Sequence, residues 1–433
     1  MFRTIFFVCL SLCVALAKHE QYEGAAVYDV TVTTKEQAQL VNQLENEIFV
    51  DVLSHAIPGR TGQVLVPKEQ REQFQNELSN SGIEFEIVTE NVVEQLQLED
   101  ELLAAASKKS NRSASRIGLS FDTIHRYSVV DQYLVDLAEA YPDIVTVVSG
   151  GESFEGRDIK YLKISTTNFQ DRSKPIVYIQ SLLHAREWIT LPATLYAIEK
   201  LVIDVVEQDL QQDIDWIIVP IANPDGYEFS HTNTRFWRKN RATGYSVGNT
   251  CIGVDLNRNF DILWGTASSN SACSETFHGR GPASEPEIVA LQNILGEDVN
   301  RVELVLDVHS YGSLILYGWG TGQLPPNGLI INYVGVIMAQ AIDRVKWPTN
   351  INYIVGNSFQ VLYGSSGSTA DYGLAIGSPL SYTYELPAYR NSGGLNGFLV
   401  DPDFIEQAGF ETWEGIKEGA RFARDNFRRR QGH

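Results

Sequence analysis

His184 and Glu187 stand three residues apart in Leu183-His184-Ala185-Arg186-Glu187-Trp188, and an imidazole with a carboxylate is a donor pair that zinc favours. A catalytic zinc takes three protein ligands and keeps a position open for water, so a third donor must come from elsewhere. Alone, the pair reads more readily as polar neighbours at i and i+3 on a surface helix. The chain has eight histidines. His19 and His433 lie near its ends, while His55 and His125 sit in polar segments. His309 differs, because it closes the β-branched run from Val302 to Val308, which reads as a buried strand. A strand end beside loops is where α/β enzymes place their chemistry.

Cations come next. Arg235 and Arg238 lie in Asn233-Thr234-Arg235-Phe236-Trp237-Arg238-Lys239, and Asn257 and Arg258 in Gly253-Val254-Asp255-Leu256-Asn257-Arg258-Asn259-Phe260. Both motifs are flanked by apolar and aromatic residues, which in an acidic protein points to a buried anion. A guanidinium grips a carboxylate through two parallel hydrogen bonds. The substrate that always carries a carboxylate beside its scissile bond is a peptide C-terminus. Exopeptidase chemistry follows.

Together with Val308-His309-Ser310-Tyr311 and Tyr382-Thr383-Tyr384-Glu385-Leu386, these motifs resemble the metallocarboxypeptidase A/B family in its secreted zymogen form, over about residues 121–428. The resemblance implies one Zn2+ per chain, held by His184, Glu187 and His309, with Asp255 orienting His184. It implies that Asn257, Arg258 and Tyr363 hold the terminal carboxylate and that Arg186 lines the subsite beyond. Arg238 would polarise the scissile carbonyl and Glu385 would act as general base, taking a proton from the attacking water and passing it to the leaving amine. Tyr311 and Phe398 match the wall of the upstream subsites. Ala370 matches the floor of the S1′ pocket, where aspartate marks enzymes for basic C-termini and a bulky apolar residue those for aliphatic and aromatic ones.

Alanine there carries no charge and leaves room, so the expected preference is aliphatic and aromatic. Asp307 is the counter-indication, because it lies two residues before His309 and shares its strand face. A carboxylate reaching the pocket from that position would favour basic C-termini. A catalytically silent peptide-binding relative should have lost a ligand, Arg238 or Glu385. All are present.

The elements that must position these groups fall into an α/β pattern. Residues 1–17 read as a signal peptide, with Arg3 before the apolar stretch Ile5 to Leu16 and small residues at Ala15-Leu16-Ala17. Secretion follows, and the resemblance adds a digestive setting such as a gut lumen. Cys9 and Cys13 fall in that peptide, leaving Cys251 and Cys273 as one pair for a disulfide, which the resemblance also implies. Residues 18–107 hold 17 Asp and Glu against 5 Lys and Arg, a balance of −12. They read as a small ferredoxin-like α/β sandwich, with strands at Ala25 to Val32, Val64 to Pro67 and Ile83 to Val88 and helices at Lys35 to Leu44, Lys68 to Leu78 and Val92 to Ala106.

A basic linker at 108–116 follows, with Lys108, Lys109, Arg112, Arg116 and the sequon Asn111-Arg112-Ser113. In the family this arrangement is a pro-domain over the cleft, removed by a trypsin-like protease. Residues 117–433 read as the catalytic domain, a mixed central sheet flanked by helices. Its strands are expected at Ile176 to Gln180, Trp216 to Ile221, Val302 to Val308 and Leu380 to Tyr384, its helices at Leu191 to Val206 and Phe404 to Phe427. The chain has 433 residues, 43% hydrophobic and 20% charged, ample for a large core. Its net charge of −20 argues against nucleic acid and anionic membranes as partners. Peptide C-termini, an activating protease and proteinaceous inhibitors are the partners expected, with the chain itself a monomer.

Overall fold

The computed structural model describes residues 18–110, 118–388 and 397–432. The expected signal peptide, most of the linker and the sequon at Asn111 lie outside the described residues. The first unit is a four-stranded antiparallel sheet in the order β2-β3-β1-β4, with β1 at Ala26–Thr31, β2 at Asp51–Ser54, β3 at Gly62–Val66 and β4 at Glu84–Thr89. Period-2 alternation gives the sheet two apolar faces. Tyr28, Val30, Val64 and Val66 meet Val41 and Leu44 of helix Lys35–Glu47 and Phe74 and Leu78 of helix Arg71–Asn80. Val27 and Leu65, one residue out of phase, join Tyr22, Leu53 and Leu96 in a second cluster, which contains Phe236, Tyr311 and Phe398. The β-rich face of this unit is therefore the one turned towards the later residues.

The second unit is a mixed eight-stranded sheet ordered β11-β10-β12-β9-β7-β8-β6-β5. The strands are β5 Val145–Glu152, β6 Asp158–Ile164, β7 Ile176–Ser181, β8 Asp215–Val219, β9 Val302–Ser310, β10 Leu314–Tyr317, β11 Ile354–Asn357 and β12 Leu380–Leu386. Helices Tyr127–Ala140, Thr190–Val202, Gly328–Asp343 and Pro402–Gln431 contribute to the core on one face. Helix Pro286–Gly296 covers the other through Ile288, Leu291 and Ile294. β7, β8 and β9 are buried along their whole length, which is why they read as continuous apolar runs rather than alternating ones.

Two glycines hold the motif loops in place. Gly253 has φ +81 and a Cβ there would lie 2.4 Å from the Asn240 carbonyl oxygen; Gly367 has φ +70 and a Cβ there would lie 2.4 Å from that of Arg258. Both need a left-handed backbone pressed against another chain segment, which only glycine supplies without strain.

Candidate metal centre and substrate cleft

β7, β9 and β12 are neighbours and mutually parallel, so their C-terminal ends share one edge of the sheet. The motifs gather there. β7 ends at Ser181 and the chain turns through Leu182, at φ +52, to present His184 and Glu187. This segment is a loop, with helix Thr190–Val202 starting only after it, so the pair is held by tertiary structure rather than helical spacing. His309 is the penultimate residue of β9, and Glu385 of β12 pairs with it in register.

His184 Nδ1 lies 2.8 Å from Glu187 Oε1, and His309 Nδ1 lies 2.9 Å from Glu187 Oε2. All three residues are buried, and one donor atom from each falls within 4.8 Å of the others. The second nitrogen of each ring meets a buried carboxylate. His184 Nε2 is 3.0 Å from Asp255 Oδ1, and His309 Nε2 is 2.7 Å from Asp307 Oδ2. Carboxylates behind both imidazoles fix the Nε2–H tautomer and leave each Nδ1 lone pair for a metal, while raising ligand basicity. Two imidazoles and one carboxylate, each turned inward, fit zinc.

Asp255 also accepts from Arg238, at 2.9 and 3.3 Å, and caps the short turn Leu256–Arg258 through the Asn257 N–H. Burial alone would raise its pKa; Arg238, His184 and Arg258 outweigh burial and hold the carboxyl well below its usual range. One aspartate thus aims a metal ligand, a cation and the Asn257 backbone together. Arg258 donates to Tyr363 Oη at 3.1 Å, and the Asn257 side-chain oxygen accepts from Thr369 N–H at the start of helix Thr369–Ala375. Burial pushes the Glu385 carboxyl up to about 7, with His309 opposing and Glu187 adding to the rise.

A cavity of about 440 Å³ joins His184, Glu187, Arg186, Arg238, Asn257, Arg258, Tyr311, Tyr363, Ala370, Glu385 and Phe398. Asp255 lies behind that wall. Of the two aspartates that could have charged the pocket, neither lines it. Asp307 is spent on His309 and on Gln180, whose Nε2 donates to it at 2.8 Å. Asp371 accepts from Gly320 N–H at 2.9 Å. The counter-indication raised by Asp307 is thereby answered: parity placed it on the face of His309, and the imidazole two residues on takes its carboxylate. Cys251 and Cys273 form a disulfide beside the Asp255–Arg258 turn.

The first unit closes the cavity from above. Val52, Leu53, Ser54 and His55 at the end of β2, with Gly59, Arg60 and Thr61 beyond, form its roof. Asp51 accepts twice from Arg186 Nη1, at 2.8 and 2.7 Å, Gln63 Oε1 accepts from Tyr311 Oη at 2.7 Å, and Glu99 accepts from Arg235. His55, set aside in the sequence as a polar-segment histidine, packs against the Tyr363 ring, with centroids 4.1 Å apart and planes tilted by 48°. Burial, reinforced by Arg238, Arg258 and Arg186, pushes its pKa down to about 3, so it stays neutral. Neither β2 nor this histidine carried a sequence signal, because four residues are too few to show a period.

The fold and site together define a zinc peptidase under a removable cover. The zinc carboxypeptidase family profile matches residues 130–415, and a carboxypeptidase activation peptide profile matches residues 28–99. The chain belongs to the zinc carboxypeptidase family and is a metallocarboxypeptidase zymogen acting on peptides. It is 45% identical over 430 residues to a carboxypeptidase B of Helicoverpa zea, covering 98% of this chain and 100% of that one. It is 63% identical to the crystal structure of the carboxypeptidase A from Helicoverpa armigera, with TM-score 0.91, 93% of this chain and 98% of that one covered. It is 28% identical, TM-score 0.64, to bovine thrombin-activatable fibrinolysis inhibitor in complex with a tick carboxypeptidase inhibitor, covering 71% of this chain and 99% of that one. The two Helicoverpa relatives carry different specificity letters, so names do not assign the C-terminal preference. Among the described residues no helix is long and apolar enough to cross a membrane.

Proposed function

We propose that the mature enzyme removes aliphatic and aromatic residues from peptide C-termini. The observation that carries this is that, among the described residues, the carboxylates lining the cavity are Glu187 and Glu385 of the reaction centre, while Ala370, Ser358, Leu362, Ser365, Ser368 and Thr383 add neutral wall. A neutral pocket gives a Lys or Arg head no partner for its lost hydration, and burying an unpaired charge is costly. Apolar side chains gain about 25 cal/mol per Å² of surface removed from water. The name of the Helicoverpa zea relative favours a second reading, preference for basic C-termini. Matched peptides ending in Phe and Lys, compared by kcat/KM, decide between the two. The first reading expects Phe to win, and Ala370→Asp to shift the ratio towards Lys; a wild-type preference for Lys overturns it.

In this reading Arg258, Asn257 and Tyr363 take the terminal carboxylate, Arg186 the next group along the chain, and Tyr311 and Phe398 line the path upstream. Glu385 accepts the proton of the attacking water and returns it to the leaving amine, and Arg238 stabilises charge developing on the carbonyl oxygen. A bound zinc supplies the acidity that lets water act near neutrality. Residues 18–107 are the activation segment, 108–116 the linker cut by a trypsin-like protease, and 117–433 the catalytic domain. Signal-directed secretion, a digestive setting, monomeric action and inhibition by small proteins complete the reading, the last favoured by the complex of the bovine relative.

A further inference from the structure

Tyr178 and Gln180 stand two residues apart on one face of β7, behind the cavity wall, and Gln180 pairs in register with Asp307 of β9. All three are fully buried. Their hydrogen bonds run in one sense. Tyr178 Oη donates to Gln180 Oε1 at 2.7 Å, and burial together with Asp307 pushes the Tyr178 pKa up, so the phenol keeps its proton. With its oxygen taken, the Gln180 amide turns both N–H groups the other way. Nε2 donates to Asp307 Oδ1 at 2.8 Å and to Thr369 Oγ1 at 3.0 Å. The reverse orientation would set a carbonyl oxygen against the Asp307 carboxylate, so the network admits only this one.

Each of those donations leads to the site. Asp307 Oδ2 lies 2.7 Å from His309 Nε2, and Gln180 is the partner of its other oxygen. Thr369 opens the helix Thr369–Ala375 that carries Ala370, and its N–H donates to Asn257 Oδ1 at 2.9 Å. The Thr369 hydroxyl accepts from Gln180, so its own proton is left for the same Asn257 oxygen, at 3.4 Å. Asn257 lines the cavity, and an amide whose oxygen is held from behind can offer a substrate only its N–H2 side. Asn257 Nδ2 in turn lies 3.2 Å from His309 Nε2, so His309, Asp307, Gln180, Thr369 and Asn257 close a ring. Gln180 is the member that joins its two halves.

We propose that Gln180, oriented by Tyr178, is a positioning residue that sets the brace of the metal ligand His309 and the donor side of Asn257 at once, coupling the hold on zinc to the grip on the terminal carboxylate. The proposal rests on the reading of Asn257 and Arg258 as the carboxylate clamp. Gln180→Met keeps length and bulk but leaves Asp307 Oδ1 and Thr369 Oγ1 without their donor. In trypsin-cut enzyme it should weaken zinc binding about tenfold, read by competition with a chelator. At saturating zinc it should also weaken the binding of phenylpropionate, a carboxylate with an apolar tail, about tenfold by calorimetry. Val177→Ala, on the opposite face of β7, should lower the unfolding midpoint and move neither constant, which separates positioning from stability. A Gln180→Met enzyme in which neither constant moves, or only one does, overturns the proposal. If Gln180→Met fails to fold, Tyr178→Phe decides: it frees the amide to turn and should shift both constants in the same direction by a smaller factor, and a shift in neither or in only one overturns the proposal. Arg258→Gln checks the reading beneath it. Phenylpropionate binding that survives Arg258→Gln refutes the clamp and the proposal with it, whereas binding lost there but intact in Gln180→Met refutes the proposal alone.

Discussion

The metal cluster and the cover interface use the same chemistry, carboxylates against imidazoles or guanidiniums, with opposite design. At His184, Glu187 and His309 every charged partner belongs to the catalytic unit, and each imidazole is braced from behind by Asp255 or Asp307. At the interface the arginines belong to the catalytic unit and the carboxylates Asp51 and Glu99 to the cover. Losing the cover therefore leaves the metal cluster whole and removes the partners of Arg186 and Arg235. What is permanent is self-contained, and what is removable pairs with groups of the catalytic unit.

That contrast can be broken from either side. Replacing Glu385 by Gln in the cut enzyme should lower kcat by about 10³-fold while zinc content, measured by atomic absorption, stays at one per chain. Near-normal turnover would remove Glu385 from the mechanism. Next in size is Glu99→Gln in the uncut zymogen, which leaves Arg235 without its charge partner and weakens closure by about 2–4 kcal/mol. Hydrolysis of a short peptide by uncut protein should then rise about thirtyfold to several hundredfold, with cut enzyme unaffected; an unchanged zymogen would mean the pair does not hold the cover.

Much of this was legible beforehand. His184, Glu187 and His309 were readable because their short motifs together resemble a known family, and the runs at 176–180, 302–308 and 380–384 became β7, β9 and β12. Where sequence reasoning failed, tertiary contact decided. β2 has four residues, Asp51-Val52-Leu53-Ser54, and its importance lies in what it covers. The β5–β6 hairpin was overlooked because β5 is a half-exposed edge strand whose register breaks around Gly150 and Gly151. Asp307 was placed on the face of His309 by parity, but its second partner is Gln180 of β7, far away in sequence.

Asp307→Asn sharpens the comparison within the permanent half. Losing the carboxylate behind His309 should weaken zinc binding about tenfold to a hundredfold, read by competition with a chelator. Unchanged affinity would mean His309 needs no brace.

The smallest effect concerns pH. Glu45 of the cover is held up to about 8 by burial and by Asp51 and Glu275, against Arg238 and Arg186. Away from the interface it should ionise near the ordinary glutamate value, so closing the cover takes up a proton between about 4.5 and 8. Because the folded pKa is raised, its contribution to closure is fully present below that window and is lost as pH rises through it. The ratio of uncut to cut activity should climb over this range, and Glu45→Gln should flatten the climb. A Gln variant with the wild-type slope would move the cause elsewhere.

The pairing of Glu385 with His309 across β12 and β9 carries a consequence for how such a protein can vary through time. One residue inserted or deleted in either strand ahead of the pair slides the ladder by one rung and turns a side chain to the opposite face. These two strands share a fixed reading frame. Relatives that keep the chemistry can therefore differ here by exchange of residues and never by their number.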